Sequence, residues 1–204
     1  PPTPQDLTPV FGGNPNLLNP ERSRGYEVGI TQPLFQNKLS LRATYFHNDL
    51  RNTYQYPFPA FIPVAIGSAT TQGLESGLDW NPCAMFGVNL SYTYLYAYDN
   101  TNTARLVRRP RHSISGGLRF QPVKDLTFNL NAIYVIDRED YDPITFAQRD
   151  LEDYLNVRLT ANWRVNEHIE LFARVENLLG EKYAEIPGFP VMGTGAYAGL
   201  RLRF

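Results

Sequence analysis

From residue 22 to residue 204 the chain keeps one beat. Stretches of about ten residues alternate apolar and polar positions, and the connections between them are alternately short and long. The last stretch shows the pattern most plainly. Ala198, Leu200, Leu202 and Phe204 fall on one face, Arg201 and Arg203 on the other. A period of two predicts strands with one apolar face. A length near ten residues, closed by an aromatic at the apolar edge, predicts strands that cross a membrane.

Nine strands follow from the same pattern. The first runs from about Arg22 to Thr31 and the second from about Lys38 to Asn48, with Leu39, Leu41, Ala43 and Tyr45 on its apolar face. The third, about Ala69 to Trp80, sets Leu74, Leu78 and Trp80 against Gly73, Glu75, Gly77 and Asp79, and Asn81-Pro82 begins a turn. The fourth places Val88, Leu90, Tyr92, Tyr94, Tyr96 and Tyr98 against Asn89, Ser91 and Thr93. The fifth is His112 to Gln121 and the sixth Leu126 to Ile136. The seventh ends on Trp163-Arg164, the eighth spans about Ile169 to Glu176, and the ninth is Gly195 to Phe204.

Short turns follow strands one, three, five and seven. Long loops, about 49–68, 99–111, 137–152 and 178–193, follow the others. In bacterial barrels the short turns are periplasmic and the long loops extracellular. Trp80, Phe120, Trp163 and Phe204 then form a lower aromatic girdle, and Tyr45, the upper tyrosines of strand four and Tyr134 an upper one. An up-and-down barrel closes with an even number of strands. The odd count makes residues 1–204 the C-terminal part of a larger barrel whose N-terminal strands are absent. Residues 1–20, rich in Pro, Gly and Asn, read as loop, and the opening Pro1-Pro2-Thr3-Pro4 reads as a cut or processed start.

Composition sharpens this picture only in places. The net charge of −1 offers no field for nucleic acid, which we exclude as a partner. No apolar run approaches the roughly 18 residues of a spanning helix, which leaves barrel strands untouched. Tyr and Phe, at 13 and 12, favour strands and membrane interfaces. A lone cysteine, Cys83, excludes an internal disulfide and falls in an expected periplasmic turn as an idle thiol.

Particular stretches are familiar. Leu171-Phe172-Ala173-Arg174-Val175-Glu176-Asn177-Leu178-Leu179-Gly180-Glu181-Lys182-Tyr183 resembles the penultimate-strand motif of TonB-dependent outer-membrane receptors. Gly13-Asn14-Pro15-Asn16-Leu17-Leu18-Asn19-Pro20-Glu21 is similar to that family's G-N-P-x-L-x-P-E loop with one extra residue. Gly73-Leu74-Glu75 and Arg109-Pro110-Arg111-His112 resemble its G-V/I-E and R-P-x-H strand entries, and Gly188-Phe189-Pro190 faintly resembles the cobalamin-receptor branch. The resemblance implies an all-β, antiparallel transmembrane barrel of 22 strands in the whole protein, sited in the outer membrane of a Gram-negative bacterium. It implies import of a scarce large nutrient, a ferric siderophore or cobalamin. Extracellular loops would capture the ligand, and TonB would supply energy through a plug domain absent here. The expected partners are the lipid bilayer, the plug, TonB by way of the plug, and the barrel-assembly machinery. No enzyme activity and no cofactor are expected.

The candidate residues each have a second reading. Glu27, Arg42, Glu75, Asp79, Arg119, Arg158, Arg164, Glu170, Arg174, Glu176, Arg201 and Arg203 lie opposite the apolar faces. They are either a lumen wall that meets a plug or simple cross-strand pairs in a wet lumen. Asp137, Glu139, Asp140 and Asp142 share one loop. Ca²⁺ takes six to eight oxygens, but this spacing matches no loop pattern of that kind, and a solvated acidic loop is the expectation. A hydrolase would need one of His47, His112 or His168 beside paired carboxylates, and His112 shares the extracellular rim with the acidic loop. Tyr54, Tyr56, Phe58, Phe61, Tyr141 and Phe146 either grip a large ligand or pack the loops. Phe204, a terminal aromatic at the lower interface, is read as an assembly residue. A small complete barrel acting as passive channel or adhesin, a barrel-borne hydrolase and a soluble β-sandwich remain as alternatives.

Overall fold

The structure is a computed structural model, and it describes residues 20–55, 64–65 and 67–204. Nine antiparallel strands hydrogen-bond to their sequence neighbours in chain order. They are β1 (Arg22–Leu34), β2 (Leu39–Arg51), β3 (Ser68–Cys83), β4 (Phe86–Asp99), β5 (His112–Val123), β6 (Leu126–Ile136), β7 (Tyr154–Arg164), β8 (Ile169–Glu176) and β9 (Gly195–Leu202). Ala104–Arg105 adds a short rung to β4. Within the described residues, β1 and β9 each pair on one side only.

Register fixes the two faces. Val28, Tyr45, Leu74, Tyr94, His112 and Ile136 stand opposite one another across six strands. Lower down, Leu118, Leu130, Leu159, Val175 and Ala196 align across five. A one-residue slip anywhere would reverse every side chain beyond it, so this continuity makes one face apolar from β1 to β9. That face is open. Leu90 is 45 % exposed, Trp163 48 % and Leu200 60 %. A contiguous apolar surface of this extent belongs against lipid or a partner.

The other face is polar and crowded. Of the nine strand glycines, Gly25, Gly29, Gly73, Gly77, Gly87, Gly117, Gly195 and Gly199 lie on it, and only Gly116 lies on the apolar face. Side chains of the neighbouring strands lie over these glycines, as Asn48 does over Gly25 and Asn89 over Gly117, and the missing Cβ leaves them room. A Cβ at Gly199 would meet the Phe172 ring at 2.5 Å, and one at Gly73 would meet Phe46 at 2.8 Å. These two aromatics on the polar face are absent from the simple alternation, because each covers a glycine on the neighbouring strand.

The strands overrun their expected ends. Asn81-Pro82 does not begin the turn. It sits in a bulge of β3 between Trp80 and Cys83, and Gln121-Pro122 does the same in β5 between Phe120 and Val123. Each proline lacks the N–H that the ladder needs, so the register shifts around it. The turns are then the two-residue Ala84-Met85 and Lys124-Asp125. Cys83 is therefore the exposed last residue of β3, not a turn residue. At the other end β9 stops at Leu202, although the Arg203 N–H still donates to His168 O at 2.9 Å.

Candidate functional site

The long connections gather at one end of the wall, and three of them are stitched together. The 100–111 loop carries Arg105, Arg108, Arg109 and Arg111. The neighbouring 137–153 loop carries the acidic cluster. Arg138–Tyr141 and Gln148–Leu151 form a small hairpin there, which presents the carboxylates to the arginines in fixed register. Arg105 Nη1 donates to Asp137 Oδ1 at 2.7 Å and also contacts Glu139, which Gln148 holds from its other oxygen. Arg111 Nη1 lies 3.2 Å from Asp137 Oδ2. Arg108 Nε lies 2.9 Å from Asp140 Oδ2, and the Asp140 side chain has no exposed surface at all. The expectation of a solvated acidic loop is therefore corrected. These carboxylates are held by arginines of the adjacent loop, because a buried charge is tolerated only when it is paired and hydrogen-bonded.

The electrostatics agree. Burial would push the Asp137 carboxyl up, but the hydrogen bond from Arg105 and the charges of Arg105, Arg111 and His112 hold it below its ordinary value. Burial would lower Arg105, and Asp137 and Glu139 together raise it instead. Asp142 is also held low, by the backbone N–H groups of Thr145 and Ile144. Asp137, Glu139 and Asp150 bring three carboxylate oxygens within 4.8 Å of one another. Arg105 already supplies a positive charge to the first two.

The third loop, 178–193, joins through aromatic and amide contacts. Arg138 is buried, donates to Glu152 O at 2.7 Å and lies 4.6 Å over the Tyr154 ring. Tyr154 stacks on Tyr183 at 3.8 Å, and Asn156 Nδ2 donates to the Tyr183 hydroxyl at 2.8 Å. Asn177 anchors the loop's two ends. Its side chain donates to Glu181 O and Met192 O and accepts from the Glu181 N–H, while its carbonyl accepts from the Thr194 hydroxyl. Its φ of 47° is left-handed, a conformation that asparagine tolerates better than most residues.

Of the aromatic candidates, Tyr56, Phe58 and Phe61 lie outside the described residues, and Tyr54 is described only as backbone paired with Ala65. Tyr141 pairs with Gln148 at the end of the acidic hairpin, and Phe146 lies in the turn between them, 42 % exposed. Among the described residues no histidine sits beside paired carboxylates as a hydrolase would require; His47 contacts the single carboxylate of Asp49 at 3.2 Å. His47 stacks on Tyr26 at 5.0 Å and bonds Gln72, and His112 bonds the Tyr92 hydroxyl at 2.9 Å, both on the apolar face. His168 lies in the β7–β8 turn near Glu167.

The charged residues opposite the apolar rows all share the polar face, and several pair. Arg42–Asp79 is 2.8 Å, Arg158–Glu176 2.6 Å, and Arg201 and Arg203 flank Glu170 at 3.1 and 2.9 Å. Glu27, Glu75, Arg119, Arg164 and Arg174 lie there too, with Arg174 4.6 Å over the Tyr197 ring. The residues that sequence reading missed are the basic and aromatic brace points: Arg105, Arg108, Arg138, Tyr154, Tyr183 and Asn177. A signal was present, because a loop with four arginines precedes one with seven carboxylates.

A wall of long antiparallel strands with one apolar face and one polar face, capped at one end by braced loops, is that of part of a β-barrel. A family model described as TonB dependent receptor-like, beta-barrel matches residues 1–178, and the chain belongs to the TonB-dependent receptor family. It is 26 % identical over 212 residues to the vitamin B12 transporter BtuB of Photobacterium profundum, covering 100 % of this chain and 33 % of that protein. It is 21 % identical to the probable TonB-dependent siderophore receptor PiuA of Acinetobacter baumannii, covering 87 % of this chain and 26 % of the relative. In structure it resembles the ferric-catecholate import receptor Fiu of E. coli K12. The TM-score is 0.73 at 18 % identity, over 91 % of this chain and 28 % of the receptor. The chain thus spans between 26 % and 33 % of the length of the curated relatives it matches.

Proposed function

We propose that this chain forms part of the barrel wall of an outer-membrane importer for a scarce, large nutrient of the cobalamin or ferric-siderophore class. The observation that carries this reading is the brace joining loops 100–111, 137–153 and 178–193 at one end of a receptor-type wall. Such a brace holds a capture surface in shape before ligand arrives, which lowers the ordering cost of binding. On this reading the apolar face meets lipid. The polar face, with Glu27, Arg42, Glu75, Asp79, Arg119, Arg158, Arg174, Glu176, Arg201 and Arg203, lines the lumen where a plug domain sits. TonB acts through that plug. Tyr141 and Phe146, on the hairpin between the basic and aromatic braces, are the ligand-contact candidates. Phe204 serves assembly at the opposite end, where an interfacial aromatic sets strand depth. No covalent step is assigned to this chain.

The test uses the full-length protein in cells. Deletion of 137–152 leaves its amount in the outer membrane intact and abolishes uptake of labelled cobalamin or ferric siderophore, whichever the intact protein imports. Deletion of Phe204 does the reverse, lowering the amount assembled while uptake per assembled molecule is unchanged. Uptake that survives the loop deletion would overturn the capture role, and normal assembly without Phe204 would overturn the terminal one.

A further inference from the structure

Most arginines in strands β1 to β9 lie on the polar face, several of them against a carboxylate. Three break that rule. On β1, Arg22 and Arg24 share a face with Tyr26, Val28 and Ile30, and on β2 Arg51 shares it with His47 and Tyr45. Arg22 stands directly opposite Arg51, and Arg24 is diagonal to it. Like charges set opposite across a strand pair repel. All three are exposed, and none has an ion pair among the described residues. Asp49 is opposite Arg24 but makes no ion pair with it; its Oδ1 contacts His47 at 3.2 Å and accepts from the Thr70 hydroxyl at 3.4 Å.

The height of this cluster is informative. At about 3.3 Å per residue, Arg24 stands roughly 7 Å and Arg22 roughly 13 Å beyond Tyr26 toward the loop end. Directly below lies the aromatic belt of Tyr26, Tyr45 and His47, whose rings are 5.0 and 6.5 Å apart about Tyr26. Aromatic belts mark the boundary between hydrocarbon and headgroups. Three guanidinium groups with no ion pair among the described residues stand just above that boundary, on the outward face, where headgroup phosphates lie. Arginine's planar fork suits phosphate oxygens, and an anion between Arg22 and Arg51 removes their repulsion.

We propose that Arg22, Arg24 and Arg51 form a docking site for the phosphorylated headgroup of an outer-leaflet lipid. This rests on the reading that the apolar face meets the membrane. The occupant is a lipid and not free phosphate, because the site is completed from below by an apolar and aromatic wall that only an acyl-bearing molecule can cover.

The test uses full-length protein in neutral detergent, titrated with bisphosphorylated lipid A, with the same lipid lacking its phosphates, and with inorganic phosphate. The triple variant R22Q/R24Q/R51Q is compared with a charge-matched control, R109Q/K124Q/K182Q. At about 1 kcal/mol per basic residue near a lipid surface, the triple variant binds bisphosphorylated lipid A on the order of 100-fold more weakly, and the control binds like the parent. The dephosphorylated lipid binds parent and triple variant alike. Equal binding of lipid A by parent and triple variant would overturn the site, as would equal weakening in the control or binding of inorganic phosphate as tight as that of the lipid. Spin labels at Leu90 and Asn89 in the same protein keep the two readings apart. If Leu90 reports an oxygen-accessible apolar setting while lipid A fails to discriminate, the membrane placement stands and the lipid site falls. If Leu90 and Asn89 exchange roles, the placement itself is wrong.

Discussion

The two ends of the wall use the same chemistry to opposite degrees. At the loop end, arginine meets carboxylate largely out of water: the Arg105 side chain is 17 % exposed and that of Glu139 15 %, and Asp140 has no exposed surface, although Arg108 reaches it from the solvent side. At the turn end Arg201 and Arg203 meet Glu170 with more than half of each arginine side chain in solvent. Both ends present good distances. What separates them is solvent, since water screens an exposed pair to a fraction of a kcal/mol but leaves a buried one with its full dependence on its partner. Distance alone therefore says little about which contacts hold this protein in shape.

The comparison breaks most visibly at Arg108. Arg108→Ala leaves the buried Asp140 carboxylate with only the Tyr141 N–H as donor among the described residues, a loss of about 2 kcal/mol. Amide exchange across 137–153 accelerates roughly 30-fold, while exchange in β5 and β6 is unchanged. If the loop stays protected, Asp140 is not held by Arg108. Next comes Tyr183. Tyr183→Ala removes the stack on Tyr154 and the bond from Asn156, and costs about 1 kcal/mol. Tyr183→Phe retains the stack and recovers most of that, which distinguishes ring contact from hydroxyl. Acid gives a smaller effect with a defined sign. Because Asp137 is held below its ordinary value of 3.8, its brace is complete above that pH and is lost only as pH falls through the lowered value. Protection of 137–153 measured by exchange should hold at pH 5 and decline below 3.8; decline at pH 5 would show that Arg105 does not govern Asp137. The smallest effect is at the turn end. Arg201→Gln leaves Arg203 on Glu170 and changes stability by at most about 0.5 kcal/mol, and by less in high salt. A larger change there would erase the contrast between the ends.

The strands were legible because a period of two is a local signal: every residue reports its face through its immediate neighbours. Trp80, Phe120 and Trp163 could be set on the apolar face from the alternation alone, and the register bears this out. Two kinds of feature were hidden. The bulges at Pro82 and Pro122 read as turns, because proline marks both and only the partner strand tells them apart. The brace was hidden because its pairs are about thirty residues apart in sequence, Arg105 with Asp137 and Arg108 with Asp140. From composition the acidic loop looked like a solvated one. Nothing local distinguishes a carboxylate facing water from one facing an arginine on the next loop. His112 does share the rim with Asp137, whose carboxyl it helps to hold low, but its parity places its ring on the apolar face beside Tyr92 and Tyr94.

The brace also sets the unit in which this surface can be exchanged. A receptor that gains a new specificity by replacing the acidic hairpin alone would leave Arg105, Arg108 and Arg111 without carboxylates, and the transplanted acids would meet no base on a foreign neighbour. Four ion pairs join loops 100–111 and 137–153, Arg105 to Asp137 and Glu139, Arg111 to Asp137 and Arg108 to Asp140, so the two loops travel as a pair or lose their shape. A chimaera that carries both should retain its fold at this rim, and one that separates them should not.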